Sequence, residues 1–148
     1  MAQTVETIIN RKGTDVVTIA PAATLGQAAA LLAQHNVGAV VVSSDGEAVE
    51  GILSERDIVR RFAADEGVAT SSVPVSSTMT ADVHVASLDT TCDELMETMT
   101  NHRIRHVPVV DAGRLVGIVS IGDVVKNRMD ELQIQTESLR GYVTGSSY

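Results

Sequence analysis

Two short stretches of this 148-residue chain carry residue types that can hold or transform a small molecule. They are Gly51-Ile52-Leu53-Ser54-Glu55-Arg56-Asp57 and Gly117-Ile118-Val119-Ser120-Ile121-Gly122-Asp123. Both read Gly, two apolar residues, Ser, two variable residues, Asp, the pattern of a strand running into a helix. A helix start offers unpaired amides and the positive end of the dipole, which favour a phosphate. A carboxylate one turn in can accept two hydrogen bonds from a ribose diol, with the Ser hydroxyl beside it. The preceding Gly lets a ligand approach the backbone closely. The same spacing is also a capping box, in which Ser accepts from the third amide and the acid reaches back. Spacing alone leaves both readings open.

Other reactive residues point to less. His102 and His106 are four apart, but Arg103-Ile104-Arg105 between them reads as a helix exit, and two arginines would repel a cation. No metal site is expected from these with His35 and His84. Nucleophile-elbow, Walker, dinucleotide-fingerprint and HExxH motifs are missing from the sequence, so no catalysis is expected. Composition narrows the classes further. The formal charge is −8, the wrong sign for binding a nucleic-acid backbone, and three aromatics (Phe62, Tyr142, Tyr148) make no base-stacking platform. The single Cys92 excludes an internal disulfide and a multi-cysteine zinc site. The first residues do not read as a signal peptide, and no apolar run approaches the ~18 residues of a membrane span. A cytoplasmic protein is expected.

The two motifs belong to a repeat. Asp15–Gly46 overlays Asp82–Gly113 without a gap, with Asp15/Asp82, Val16/Val83, Thr24/Thr91, His35/His102, Val40/Val107, Val42/Val109 and Gly46/Gly113 identical. One residue drops out at a Gly turn, and Gly51, Ile52, Ser54, Asp57 and Val59 then match Gly117, Ile118, Ser120, Asp123 and Val125. A lost residue is tolerated in a turn. Each copy predicts β-α-β-β-α. The extended pieces are Val16–Ile19 and Val83–Ala86. Helices start after the caps Thr24 and Thr91. The hairpins are Gly38–Ser43 with Val49–Leu53, and His106–Val110 with Leu115–Val119. Short helices are predicted at Thr4–Asn10 and Val75–Met79. Cys92 falls where the other copy has Leu25, which makes it a core residue.

The last helix is predicted over Ile121–Arg140. Its stripe of Val125, Met129, Leu132, Thr136 and Leu139 must dock on its own domain or on a partner. The predicted boundaries are 1–67 for the first repeat with an N-terminal helix, 68–80 for a linker and short helix, 81–130 for the second repeat, and 131–148 for a C-terminal helix extension and tail.

The doubled Gly-h-h-Ser-x-x-Asp (h, apolar), Arg-Ile-Arg-His-Val-Pro-Val-Val at 103–110 and Ser-Thr-Met-Thr at 77–80 together resemble a tandem pair of cystathionine-β-synthase (CBS) domains, a Bateman module. The resemblance covers roughly residues 5–130, and a stand-alone member is expected. It implies an α/β (α+β) fold of two β-α-β-β-α CBS repeats packed with pseudo-twofold symmetry, leaving two clefts. It also implies adenosyl ligands: AMP, ADP, ATP, NAD or S-adenosylmethionine. Carried over by position, one cleft takes Ser120 and Asp123 with Lys12, Val17, Val37, Gly38 and Ala39. The other takes Ser54, Arg56 and Asp57 with Met79, His84, Ile104, Arg105, His106 and Pro108. Asp would hold the ribose, and apolar strand residues would sandwich the adenine. Arg56, Arg105 and His106 make the second cleft the better phosphate clamp. The expected function is a regulatory sensor without chemistry of its own, acting through ligand-dependent conformational change on an unknown regulated protein or as a homodimer. Slow nucleotide hydrolysis and a ligand-free scaffold are the alternatives.

Overall fold

The structure is a computed structural model that describes residues 3–66 and 69–145, and side chains to residue 141. The predicted segments reach residues 1–2, 67–68 and 146–148, which lie outside the described residues.

Local chemistry sets the helices. α1 (Val5–Lys12) leads the chain, and α2 (Leu25–His35) and α4 (Cys92–His102) are pseudo-equivalent. Thr24 and Thr91 accept from the third helical amide, while Gln27 and Glu94 reach back to the cap amide. These reciprocal bonds start both helices at the predicted residues. Both end in a left-handed residue, Asn36 in one and Arg103 in the other. α3 (Glu55–Ala64) and α5 (Ile121–Gly145) follow the two Ser-x-x-Asp motifs. α5 runs past the predicted Arg140.

In the first repeat β1 (Thr18–Ile19) pairs parallel with β2 (Ala39–Val42), which pairs antiparallel with β3 (Gly51–Ser54). In the second repeat β4 (His106–Asp111) pairs antiparallel with β5 (Arg114–Ser120). The predicted extended piece Val83–Ala86 contributes only one parallel bridge, Ala86 to Val109. That bridge is the repeat equivalent of Ile19 against Val42.

Each repeat has its own apolar core. Leu25, Ala28, Leu32, Val40, Val42, Leu53 and Val75 fill the first. Cys92 takes the place of Leu25 in the second, with Leu95, Met99, Val107, Val109, Val119 and Val124. Among the described residues, β-branched and aliphatic side chains pack the strands.

The repeats also exchange their leading segments. Val5, Ile8 and Ile9 of α1 join the core of the second repeat, not the first as chain order suggests. Gly117 makes room: a Cβ there would lie 2.5 Å from Ile9 Cδ1. Reciprocally, the 3-10 turn Val75–Ser77, shorter than the predicted Val75–Met79 helix, buries Val75 in the first core. The backbone bonds match: Cys92 N–H donates to Gln3 O, and Leu25 N–H donates to Val73 O. This exchange ties the two halves together.

Candidate functional site

Both Ser-x-x-Asp motifs form the capping box. Ser54 N–H donates to Asp57 Oδ2 at 2.9 Å, Ser54 Oγ–H donates to the same oxygen at 3.1 Å, and Asp57 N–H donates to Ser54 Oγ at 3.2 Å. Ser120 and Asp123 repeat the backbone pair at 2.8 and 3.2 Å. The first helical amides are also engaged, Glu55 N–H by Gly38 O and Ile121 N–H by Arg105 O. The cap reading is therefore correct for both motifs. It does not exclude a ligand, because the cap uses one carboxylate oxygen of Asp57, Oδ2, and leaves the other.

A cavity of about 410 Å³ lies in front of Asp57, between the repeats. Ser54, Arg56 and Asp57 line it from the first repeat, and His84, Ile104, Arg105 and His106 from the second. Sequence reasoning grouped these seven, and the fold brings them together. The family resemblance places Gly38 and Ala39 with Asp123, yet they line the Asp57 cleft. The reason is contact: a Cβ on Gly38 would stand 3.2 Å from His106 Cε1, so the missing side chain lets the ring lie against the strand.

Four more predicted residues are placed elsewhere. Met79 packs against the first core beside Gly51, and Thr80 takes its place in the cleft lining. Pro108 is buried within β4 opposite Ile118. Val17 packs on the first core, and Val37 is partly exposed at the exit of α2. None of these four lines the described cavity.

Further residues complete the cleft. Arg60 lies one turn after Arg56 on α3, a spacing visible in the sequence. Arg103 lines it too, held at φ 54° at the end of α4. Asn tolerates that conformation, as Asn36 does in the other repeat, but an arginine is strained there. His102 stacks on His84 with ring centroids 3.8 Å apart. Four arginines and three histidines thus face three carboxylates, Glu55, Asp57 and Asp82, in a protein of net charge −8. Burial pushes the His106 imidazole below its ordinary range, with Lys12 and Arg105 acting the same way against Glu55 and Asp123. Protonation of His106 is thereby disfavoured, and Arg56, Arg60, Arg103 and Arg105 bring fixed positive charge to the cleft.

The Asp123 side differs. Lys12 Nζ donates to Asp123 Oδ2 at 2.7 Å and to Ile118 O at 2.8 Å. Burial raises the Asp123 carboxyl, but the Lys12 ammonium and Ser120 amide outweigh it and hold it below the usual carboxylate range.

Residues 5–64 and 75–130 match the CBS domain family. The chain is a CBS-domain protein with two such domains. It is 37% identical over 116 residues to the CBS domain-containing protein YhcV of Bacillus subtilis, covering 78% of this chain and 81% of that one. The fold overlays the crystal structure of the CBS-domain protein ATU1752 of Agrobacterium tumefaciens with a TM-score of 0.81 and 49% identity, over 85% of this chain and 99% of that one. The CBS domain pair of protein MJ0100, solved with 5'-methylthioadenosine and S-adenosyl-L-methionine, overlays with a TM-score of 0.77 and 25% identity, over 88% and 99%. CBS pairs are regulatory ligand-binding modules, and adenosyl compounds are ligands among the neighbours of this one. Among the described residues no helix is long and apolar enough to cross a membrane.

Proposed function

We propose that the Ser54–Asp57 cleft binds an adenine nucleotide (AMP, ADP, ATP or NAD) and that the module acts as a sensor without catalysis. One observation carries the reading: a carboxylate suited to a ribose diol and four arginines suited to phosphate share a single open cavity between the repeats. Asp57 receives the ribose, the Ile52 and Ile104 side chains contact the adenine, and Arg56 and Arg105 hold the phosphate. A ligand bridging both repeats favours whichever arrangement closes on it, by no more than its differential affinity.

S-adenosylmethionine is the second reading, because the MJ0100 pair holds it. Its sulfonium is opposed by the arginines here, whereas phosphate is attracted. Titration calorimetry with AMP and with S-adenosylmethionine separates them. Tighter AMP binding that weakens with salt supports the nucleotide; tighter S-adenosylmethionine binding overturns it. Incubation with ATP and Mg²⁺ followed by chromatography tests the absence of hydrolysis.

The signal passes to a regulated protein or through a homodimer. Phe62 and Val59 on α3, and Val125, Met129 and Leu132 on α5, are large exposed apolar residues that support self-association. Light scattering showing a monomer with and without nucleotide overturns the dimer.

A further inference from the structure

The two halves treat the same structural place in opposite ways. After the 3-10 turn Val75–Ser77, Thr78 stays in the right-handed helical region and Met79 N–H still donates to Val75 O. Thr80 then pairs with Ile52, donating to its carbonyl at 2.9 Å and accepting from its amide at 3.0 Å. Asp82 follows and lines the open cleft. In the other half the equivalent segment is α1, which stays helical through Lys12. Among the described residues this segment forms no backbone bridge to Ile118. The Lys12 side chain instead reaches the Ile118 carbonyl and the Asp123 carboxylate. Lys12 stands at the Asp123 cleft, while Asp82, matched to Asp15 in the repeat register, lines the Asp57 cleft. A cation therefore stands at one cleft where a carboxylate stands at the other.

We infer that Lys12 is a built-in plug: it occupies the sugar-binding carboxylate of the second cleft, so the module takes one adenosyl ligand per chain, at Asp57. The ammonium has two acceptors under 3 Å and is anchored from both sides. Ile9 docks over Gly117, and Arg11 pairs with Asp130 at 2.6 Å, so α1 delivers Lys12 on a fixed stem. The lysine and aspartate side chains keep only 32% and 25% of their exposure. A ribose diol approaching Asp123 meets a carboxylate already paired with an ammonium, whereas Asp57 carries only the cap bonds.

This rests on the nucleotide reading above, and the experiment separates the two. Calorimetry with AMP is run on the full chain, on Lys12→Met, which keeps the apolar stem, and on each of these with Asp57→Ala or Asp123→Ala. The expected result is one site in the parent chain, lost with Asp57→Ala and kept with Asp123→Ala, and a second site in Lys12→Met that Asp123→Ala removes. Two sites in the parent, or a single site that Asp123→Ala removes, overturns the plug. So does Lys12→Met binding no additional AMP while remaining folded by circular dichroism. A parent that binds no AMP beside a Lys12→Met variant that binds one keeps the plug and overturns the Asp57 reading. Should Lys12→Met unfold, Lys12→Gln is measured in its place with the same outcomes.

Discussion

The Asp57 and Asp123 sites have the same motif, the same capping geometry and the same strand-to-helix junction, yet one faces an open cavity and the other an ion pair. The shared Ser and Asp do not account for this. The difference comes from what the exchanged segment delivers: a linker carrying Asp82 on one side, a helix ending in Lys12 on the other. A second difference runs the same way. Where α2 ends in the tolerant Asn36, α4 ends in a strained Arg103 that lines the open cleft. The duplicated unit keeps its cores and caps and varies the residues that reach across to the other copy. A repeated binding motif is thus a repeated scaffold, and its availability is decided from the opposite repeat.

The comparison can be broken most severely through the cores. Leu25→Ala should destabilise by about 3 kcal/mol, because a fully buried side chain leaves a cavity. Its counterpart Cys92→Ala should cost about 1 kcal/mol, since less is removed from a slightly exposed site. Equal midpoint shifts in urea would show that the two cores are not distinguished by this position.

Ligand affinity comes next. Asp57→Ala should weaken AMP about 100-fold, as expected for losing hydrogen bonds to a charged acceptor, while Asp123→Ala changes it less than about threefold. Comparable losses in calorimetry would remove the asymmetry.

Gly51 and Gly117 sharpen the packing contrast. A Cβ at Gly51 would meet the Thr80 carbonyl at 3.0 Å as well as Met79 Sδ, whereas at Gly117 it meets only the Ile9 side chain. Gly51→Ala should cost about 1–3 kcal/mol and Gly117→Ala less, because backbone yields less readily than a side-chain end. Thermal unfolding checks the order.

Arg103→Asn should act in opposite directions on fold and site. Relief of the left-handed arginine should stabilise by about 1 kcal/mol, while AMP binding weakens a few-fold and loses part of its salt dependence. Lower stability would mean that Arg103 is held by contacts worth more than its strain.

The smallest effect is electrostatic. The folded Asp123 carboxyl is held low, so the unfolded chain takes up that proton first as pH falls. The pair's contribution, at most about 1 kcal/mol for a partly exposed pair, is complete above about pH 4 and is lost as pH drops through the depressed value. Lys12→Met should flatten the acid limb of a stability-against-pH curve, and an unchanged limb would deny the pair that role.

Much of the molecule was legible in one dimension because its causes are local. Thr24, Ser54, Thr91 and Ser120 start helices where expected, since a cap involves residues three apart. The repeat register and the apolar runs flanking a Gly turn located the hairpins. Seven residues grouped from the sequence line one cavity, because like positions of two like units face each other.

What failed to show was of another kind. Gly38 and Ala39 joined the Asp57 cleft through a ring packed on a glycine 68 positions away. α1 left its own repeat for the core of the other, and Lys12 met Asp123 across 111 positions. The sequence determined the units, their caps and the chemistry that each could offer. Only the packing of one unit against the other decided which site stands open, because a charge brought within 3 Å by tertiary contact leaves no trace in the spacing of the residues it pairs.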